Sequence, residues 1–171
     1  ESALVHLGLV GEHHVSNALA AAAVAHVLGT PLRDVAHALS GRAASSTHRM
    51  AVTTREDDIT VVDDAYNANP DSMAAALRSL TAIARGRRTV AVVGAMLELG
   101  DAEEEEHAAL GRLAADLRID LLVTGGTRRC SDLAEARRVL AAELRAGDVV
   151  LFKASNGSQV WRLADEWAGA R

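Results

Sequence analysis

The spacing of apolar positions changes at about residue 48, and the change predicts two kinds of structure in one chain. Before it the period is helical. Residues 16 to 28 place Leu19, Ala23 and Val27 on one narrow stripe, with Gly29 as a stop. Thr30-Pro31 then opens a second helix, with Thr as cap and Pro at the first helical position. Leu32, Val35, Ala36 and Leu39 recur at i, i+3, i+4 and i+7, and Gly41 ends the run. The small and polar residues from 41 to 47 read as a linker. Residues 1–42 are therefore a small helical segment, too short to be a convincing independent domain.

From His48 onward, short apolar runs alternate with helical ones. Residues 50 to 54 and 59 to 62 read as two strands around the acidic turn Arg55-Glu56-Asp57-Asp58. Asn69-Pro70 starts a helix that runs to about Ala84, and a strand follows at 89 to 94. Asp101 is placed to cap a helix whose first turn carries Glu103, Glu104, Glu105 and Glu106 and whose buried face is Leu110, Leu113 and Leu117. A strand at 121 to 124 precedes Gly125-Gly126, and a helix spans 131 to 145. A last strand at 149 to 152 leads to a helix over 158 to 168, with Val160, Leu163, Ala164 and Trp167 on one face. Such alternation predicts βαβ units and a parallel sheet. All-apolar strands fit a sheet covered on both faces. Residues 48–171 thus predict an α/β, Rossmann-like domain with a mostly parallel sheet and an initial antiparallel hairpin.

Composition narrows the picture. Apolar residues are 49% of the chain but aromatics only 2%, so the core must be Ala, Leu and Val. A net charge of −5 argues against nonspecific nucleic-acid binding, which needs basic surface. No apolar run approaches the ~20 residues that span a bilayer, so no membrane insertion is expected. No signal peptide is visible, and the single Cys130 suits a reducing cytoplasm. A cytoplasmic monomer is expected.

Chemistry concentrates after the second strand, from Asp63 to Met73: Asp-Asp-Ala-Tyr-Asn-Ala-Asn-Pro-Asp-Ser-Met. So many polar side chains at a strand end cost folding free energy unless they bind something, and loops on a rigid scaffold are where binding residues gather. Ligands of open α/β sheets sit outside strand carboxyl ends, where Asp64 could accept hydrogen bonds from a ribose. The alternative is a solvated loop in which Asn69 merely caps the next helix. Two further loops end strands. Gly94-Ala95-Met96-Leu97-Glu98-Leu99-Gly100 offers Glu98 to orient a substrate, or as a solvated acid. Lys153-Ala154-Ser155-Asn156 offers Lys153 beside a helix start, either as a site for a substrate carboxylate or as a snorkelling surface lysine. The adjacent His13-His14 make a poor metal pair, because neighbouring side chains diverge and no third ligand is evident.

The Asp63–Met73 segment resembles the signature of the Mur ligases, which build the peptidoglycan peptide. Its Tyr66-Asn67-Ala68-Asn69-Pro70 form is similar to that of members adding D-alanyl-D-alanine. Gly11-Glu12-His13-His14-Val15-Ser16-Asn17 resembles the family's Gly-x-His-Asn-x-x-Asn, with His14 in place of Asn. The loop at 94–100 resembles Gly-Asp-Met-x-Glu-Leu-Gly, with Ala95 in place of Asp, and His107 matches a recurrent family position of structural character. Lys153-Ala154-Ser155-Asn156 resembles Lys-Gly-Ser-Arg, with Asn156 in place of Arg.

The resemblance implies an ATP- and Mg²⁺-dependent amide ligase of cell-wall synthesis, and so of cell shape and division. Its partners would be UDP-N-acetylmuramoyl-tripeptide and D-alanyl-D-alanine. It further implies that Asn17 reads the adenine edge, that Arg49 lies near phosphates and ribose with Asp64, and that Tyr66, Asn67, Asn69, Ser72 and Lys153 meet the dipeptide. The match covers the end of a central ATPase domain (1–42) and a whole carboxyl-terminal domain (48–171). Gly-x-x-x-x-Gly-Lys-Ser/Thr occurs nowhere in the chain, so a fragment inactive by itself is expected. Between Gly126 and Leu133 the connection is shorter than the family's, through trimming or missing residues near Cys130. Alternatives remain: another Mur-type or a folylpolyglutamate-type ligase, which usually carry Asp-x-Ala-His-x-Pro, or a non-catalytic Rossmann-like binding module.

Overall fold

The structure, a computed structural model, describes residues 1–8, 11–41, 47–123, 130 and 132–169. They form two compact units, Glu1–Ser46 and Thr47–Arg171.

The first unit holds helices α1 (Glu12–Val27) and α2 (Leu32–Leu39). α1 begins four residues before the expected start at 16, just after Gly11, whose φ of 120° suits glycine alone. Its expected stripe is not buried: Leu19 is 66% and Val27 84% exposed. Alanines and valines surround this helix, so no single face is marked for burial. In α2, Val35 and Ala36 are buried as the i, i+3, i+4 spacing requires. Pro31 flanks that helix rather than starting it, and Thr30 supplies no side-chain cap.

The second unit is built on a five-stranded sheet in the order β1-β2-β5-β3-β4. The strands are β1 (Ala51–Thr54), β2 (Thr60–Asp63), β3 (Thr89–Val93), β4 (Leu121–Val123) and β5 (Val149–Lys153). Only β1 and β2 pair antiparallel, and every other pairing is parallel. Side chains alternate between faces along each strand. Val62, Ala91, Val93, Leu122, Val149 and Leu151 pack with helices α3 (Pro70–Ala84) and α4 (Glu103–Asp116). Val61, Val90, Val92, Val123, Val150 and Phe152 pack with α5 (Leu133–Glu143) and α6 (Trp161–Ala168) on the other side. Cover on both faces explains why β2, β3, β4 and β5 are buried along their whole length, whereas the edge strand β1 is exposed.

Two expected helix starts differ. Asp101 lies inside a 3₁₀ turn, Gly100–Ala102, and does not cap α4. The last helix begins at Trp161, after a separate 3₁₀ turn, Asn156–Ser158, so Lys153 does not stand at a helix N-terminus. Asn69 does cap α3. Its carboxamide oxygen accepts the Ser72 N–H at 2.8 Å, and the Ser72 hydroxyl meets the Asn69 N–H at 3.1 Å. Breaking this reciprocal pair with Asn69→Ala should lower stability by about 0.5–2 kcal/mol. A thermal melt checks it; an unchanged midpoint would mean that α3 starts without its cap.

Candidate functional site

The carboxyl ends of β2, β5 and β3 lie side by side, because Asp63 and Val92 both pair with Phe152. Three loops therefore leave the sheet together: 64–69, 94–99 and 154–159. They enclose a cavity of about 420 Å³. Asn67 and Asn69 line it from the first loop, 97–99 from the second, and Ser155 and Asn156 from the third.

Beneath the first loop lies a buried ion pair. The Lys153 ammonium is 2.6 Å from Asp64 Oδ2, 2.9 Å from the Asn67 carbonyl and 3.5 Å from the Asp64 carbonyl. With only 3% of its side chain exposed, it has no proton left for a ligand. Expected at a substrate carboxylate, Lys153 is instead an internal brace that ties Asn67 to β5. Asp64 is engaged likewise. Its Oδ1 accepts the Met50 N–H at 3.1 Å while Oδ2 takes Lys153. Expected at a ribose, its carboxylate has both oxygens engaged by groups of the protein itself.

The segment entering the unit is fastened to the same loop. His48 Nδ1 lies 2.7 Å from Asp63 Oδ2, and the Ala65 N–H donates to Asp63 Oδ1 at 3.2 Å. Burial pushes the Asp63 carboxyl above its usual range, against the His48 and Ala65 hydrogen bonds that favour its charge. The Tyr66 N–H donates to the His48 carbonyl at 3.1 Å. The Arg49 guanidinium sits 4.0 Å from the centre of the Tyr66 ring, a cation–π contact that leaves the charge exposed. His48, Asp63 and Asp165 are the one set of metal-type donors close together among the described residues. The 2.7 Å spacing is that of a hydrogen bond, and the second oxygen of Asp63 is already used, so we assign the trio to anchoring.

The remaining expected residues divide clearly. Ser72 serves the helix cap. The Asn67 carboxamide engages none of the described residues and is exposed on the cavity. Glu98, also exposed there, has a φ of 64°. Asn17 lies on an exposed face of α1 in the first unit. Sequence reasoning missed His48 and Ser155, whose partners lie in other loops and leave no local trace. The connection between Gly126 and Leu133 falls largely outside the described residues.

A mostly parallel sheet with polar loops gathered at its strand carboxyl ends is an α/β domain of Rossmann-like type, a class whose ligands sit at those ends. Residues 48–129 match the glutamate ligase domain of Mur ligases. The chain is 42% identical to UDP-N-acetylmuramoyl-tripeptide--D-alanyl-D-alanine ligase of Mycobacterium leprae, over 96% of its own length and 38% of the relative's. MurF of Acinetobacter baumannii has the same fold with a TM-score of 0.84 and 31% identity, over 98% of this chain and 40% of that one. MurF ligase of Thermotoga maritima, solved in complex with ADP, gives 0.79 and 25% over 95% and 39%. The chain belongs to the Mur ligase family. It spans about two fifths of the length of these relatives. The M. leprae alignment runs over 198 residues against the 171 of this chain, so that relative carries residues with no counterpart here.

Proposed function

We propose that the chain is part of an ATP-dependent ligase joining D-alanyl-D-alanine to UDP-N-acetylmuramoyl-tripeptide, and that its α/β unit receives the incoming dipeptide. The observation that carries this reading is the cavity lined by Asn67, Asn69, Ser155 and Asn156. A dipeptide zwitterion offers donors and acceptors together, and carboxamides supply both. Glu98, the one carboxylate lining the cavity among the described residues, suits the ammonium. Tyr66 and Asn67 present the loop, while Asn69, Ser72 and Lys153 hold its shape. The shared name of the relatives supports this choice of amine, and Tyr66-Asn67-Ala68-Asn69 speaks against folylpolyglutamate-type ligases.

Arg49 and Asn17 are assigned to the nucleotide. Arg49 is exposed and permanently charged, as phosphate contact requires. Asp64 acts there by fixing the Met50 backbone next to Arg49. A lone cavity carboxylate is no coordination set for Mg²⁺, so its ligands and the phosphate loop are assigned to the rest of the parent protein, as is the binding of the uridine nucleotide. In the proposed reaction ATP phosphorylates the tripeptide carboxylate. The dipeptide amine then attacks the acyl carbon, phosphate leaves and the nitrogen loses a proton.

In the full-length parent, phosphate release should require both the tripeptide and the dipeptide. Asn67→Ala should lower kcat/KM for the dipeptide about tenfold or more, the scale of one lost hydrogen bond. The ATP constant and the melting temperature should stay near their original values. Release without the dipeptide, or equal losses toward dipeptide and ATP, would overturn the assignment.

A further inference from the structure

The loop at 94–99, which lines the cavity, is held from two sides. Ser155 binds it from the loop after β5: its N–H donates to the Ala95 carbonyl at 3.2 Å, and its hydroxyl accepts the Leu97 N–H at 3.2 Å. The residue between them, Met96, is fully buried, and its N–H needs a partner of its own. His107 on α4 provides it, with Nε2 accepting the Met96 N–H at 3.0 Å. That bond dictates the tautomer. Nδ1 lies 2.7 Å from the Glu103 carbonyl and must donate to it, which leaves Nε2 with its lone pair. Glu98, two residues on from Met96, is left-handed at φ 64°, a conformation that is costly for residues other than glycine and that surrounding contacts must offset.

We propose that His107 is a positioning residue for the dipeptide-binding cavity. By fixing Met96 it enforces the turn that presents 97–99, and with them Glu98, to the incoming amine. His107 does not line the 420 Å³ cavity itself and acts through the loop. The inference rests on the function proposed above.

Two substitutions in the full-length ligase separate the two nitrogens. The carboxamide of His107→Asn reaches the place of Nδ1 and can keep Glu103, but falls short of Met96. That of His107→Gln reaches the place of Nε2 and can accept the Met96 N–H. We expect His107→Asn to raise KM for D-alanyl-D-alanine about tenfold, with KM for ATP changed less than about twofold, and His107→Gln to restore most of the loss. Amide hydrogen exchange at Met96 should be fast in the Asn variant and slow in the Gln variant. Equal kinetics in the two variants, or matching rises toward ATP and dipeptide, would overturn the proposal. Should the Asn variant not fold, the Gln variant decides: a dipeptide KM near wild type with slow exchange supports the role, and a rise of about tenfold overturns it. Failure here is distinguishable from failure of the proposed function. Loss of dipeptide use in Asn67→Ala but not in His107→Asn sinks His107 alone, whereas no dipeptide-dependent turnover in the wild type sinks the function.

Discussion

Replacing Lys153 by methionine should destabilise the α/β unit by about 3–5 kcal/mol, the cost of leaving one buried charge without its partner. The ammonium answers three acceptors, and methionine answers none. Asp64 would keep its bond from the Met50 N–H but lose its cation, while the Asn67 carbonyl would be left open. Asp64 retains 15% side-chain exposure, so water can reach it and the effect should fall toward the lower end of that range. Chemical denaturation measures it, with an unchanged slope on denaturant confirming that the folded state is the same. The double variant Lys153→Met with Asp64→Leu should recover part of the loss, since removing both charges is often nearly neutral. A loss below about 1 kcal/mol in the single variant, the range of exposed pairs, would mean that the pair is solvated after all.

Gly94→Ala should cost about 1–3 kcal/mol through overpacking where β3 meets β5. A Cβ at Gly94 would stand 2.5 Å from Ala154 Cβ and 3.1 Å from Ser158 Cβ. Neither neighbour has a flexible end to swing aside. The Gly94 N–H donates to the Lys153 carbonyl at 2.9 Å, so the strands cannot spread without losing that bond. The strain should reach the cavity, because Ala154 sits between Lys153 and Ser155. Gly157→Ala is the control. Its Cβ would meet only Leu97 Cδ1 at 3.5 Å, an ordinary contact, and its melting temperature should hardly move. Equal midpoints for the two variants would show that the close approach at Gly94 is relieved at no cost.

Much of the α/β unit was legible in the order of residues. Strand and helix periods set side-chain direction locally, so a short all-apolar run marks a strand buried on both faces and a helical spacing marks a buried helix face before any partner is known. That is why β2, β3 and β5, and helix α3 with its Asn69 cap, lie where the pattern puts them. The same logic failed at α1, where alanine and valine on every side mark no face. It failed again at Asp101 and at the start of α6, where 3₁₀ turns intervene with no residue to announce them.

The sequence by itself determined the class of fold, the gathering of polar loops after strands, and the family to which those loops belong. The tertiary structure alone decided which polar side chains are spent and which remain open. β5, the last strand in the chain, inserts between β2 and β3. Lys153 thereby meets Asp64 across 89 positions, and Ser155 meets Leu97 across 58. Local sequence carries no record of such distant pairings, because they follow from strand order rather than from the preferences of neighbouring residues. So Lys153 and Asp64, which read as ligand contacts, became a brace, while Asn67 kept its carboxamide for the cavity.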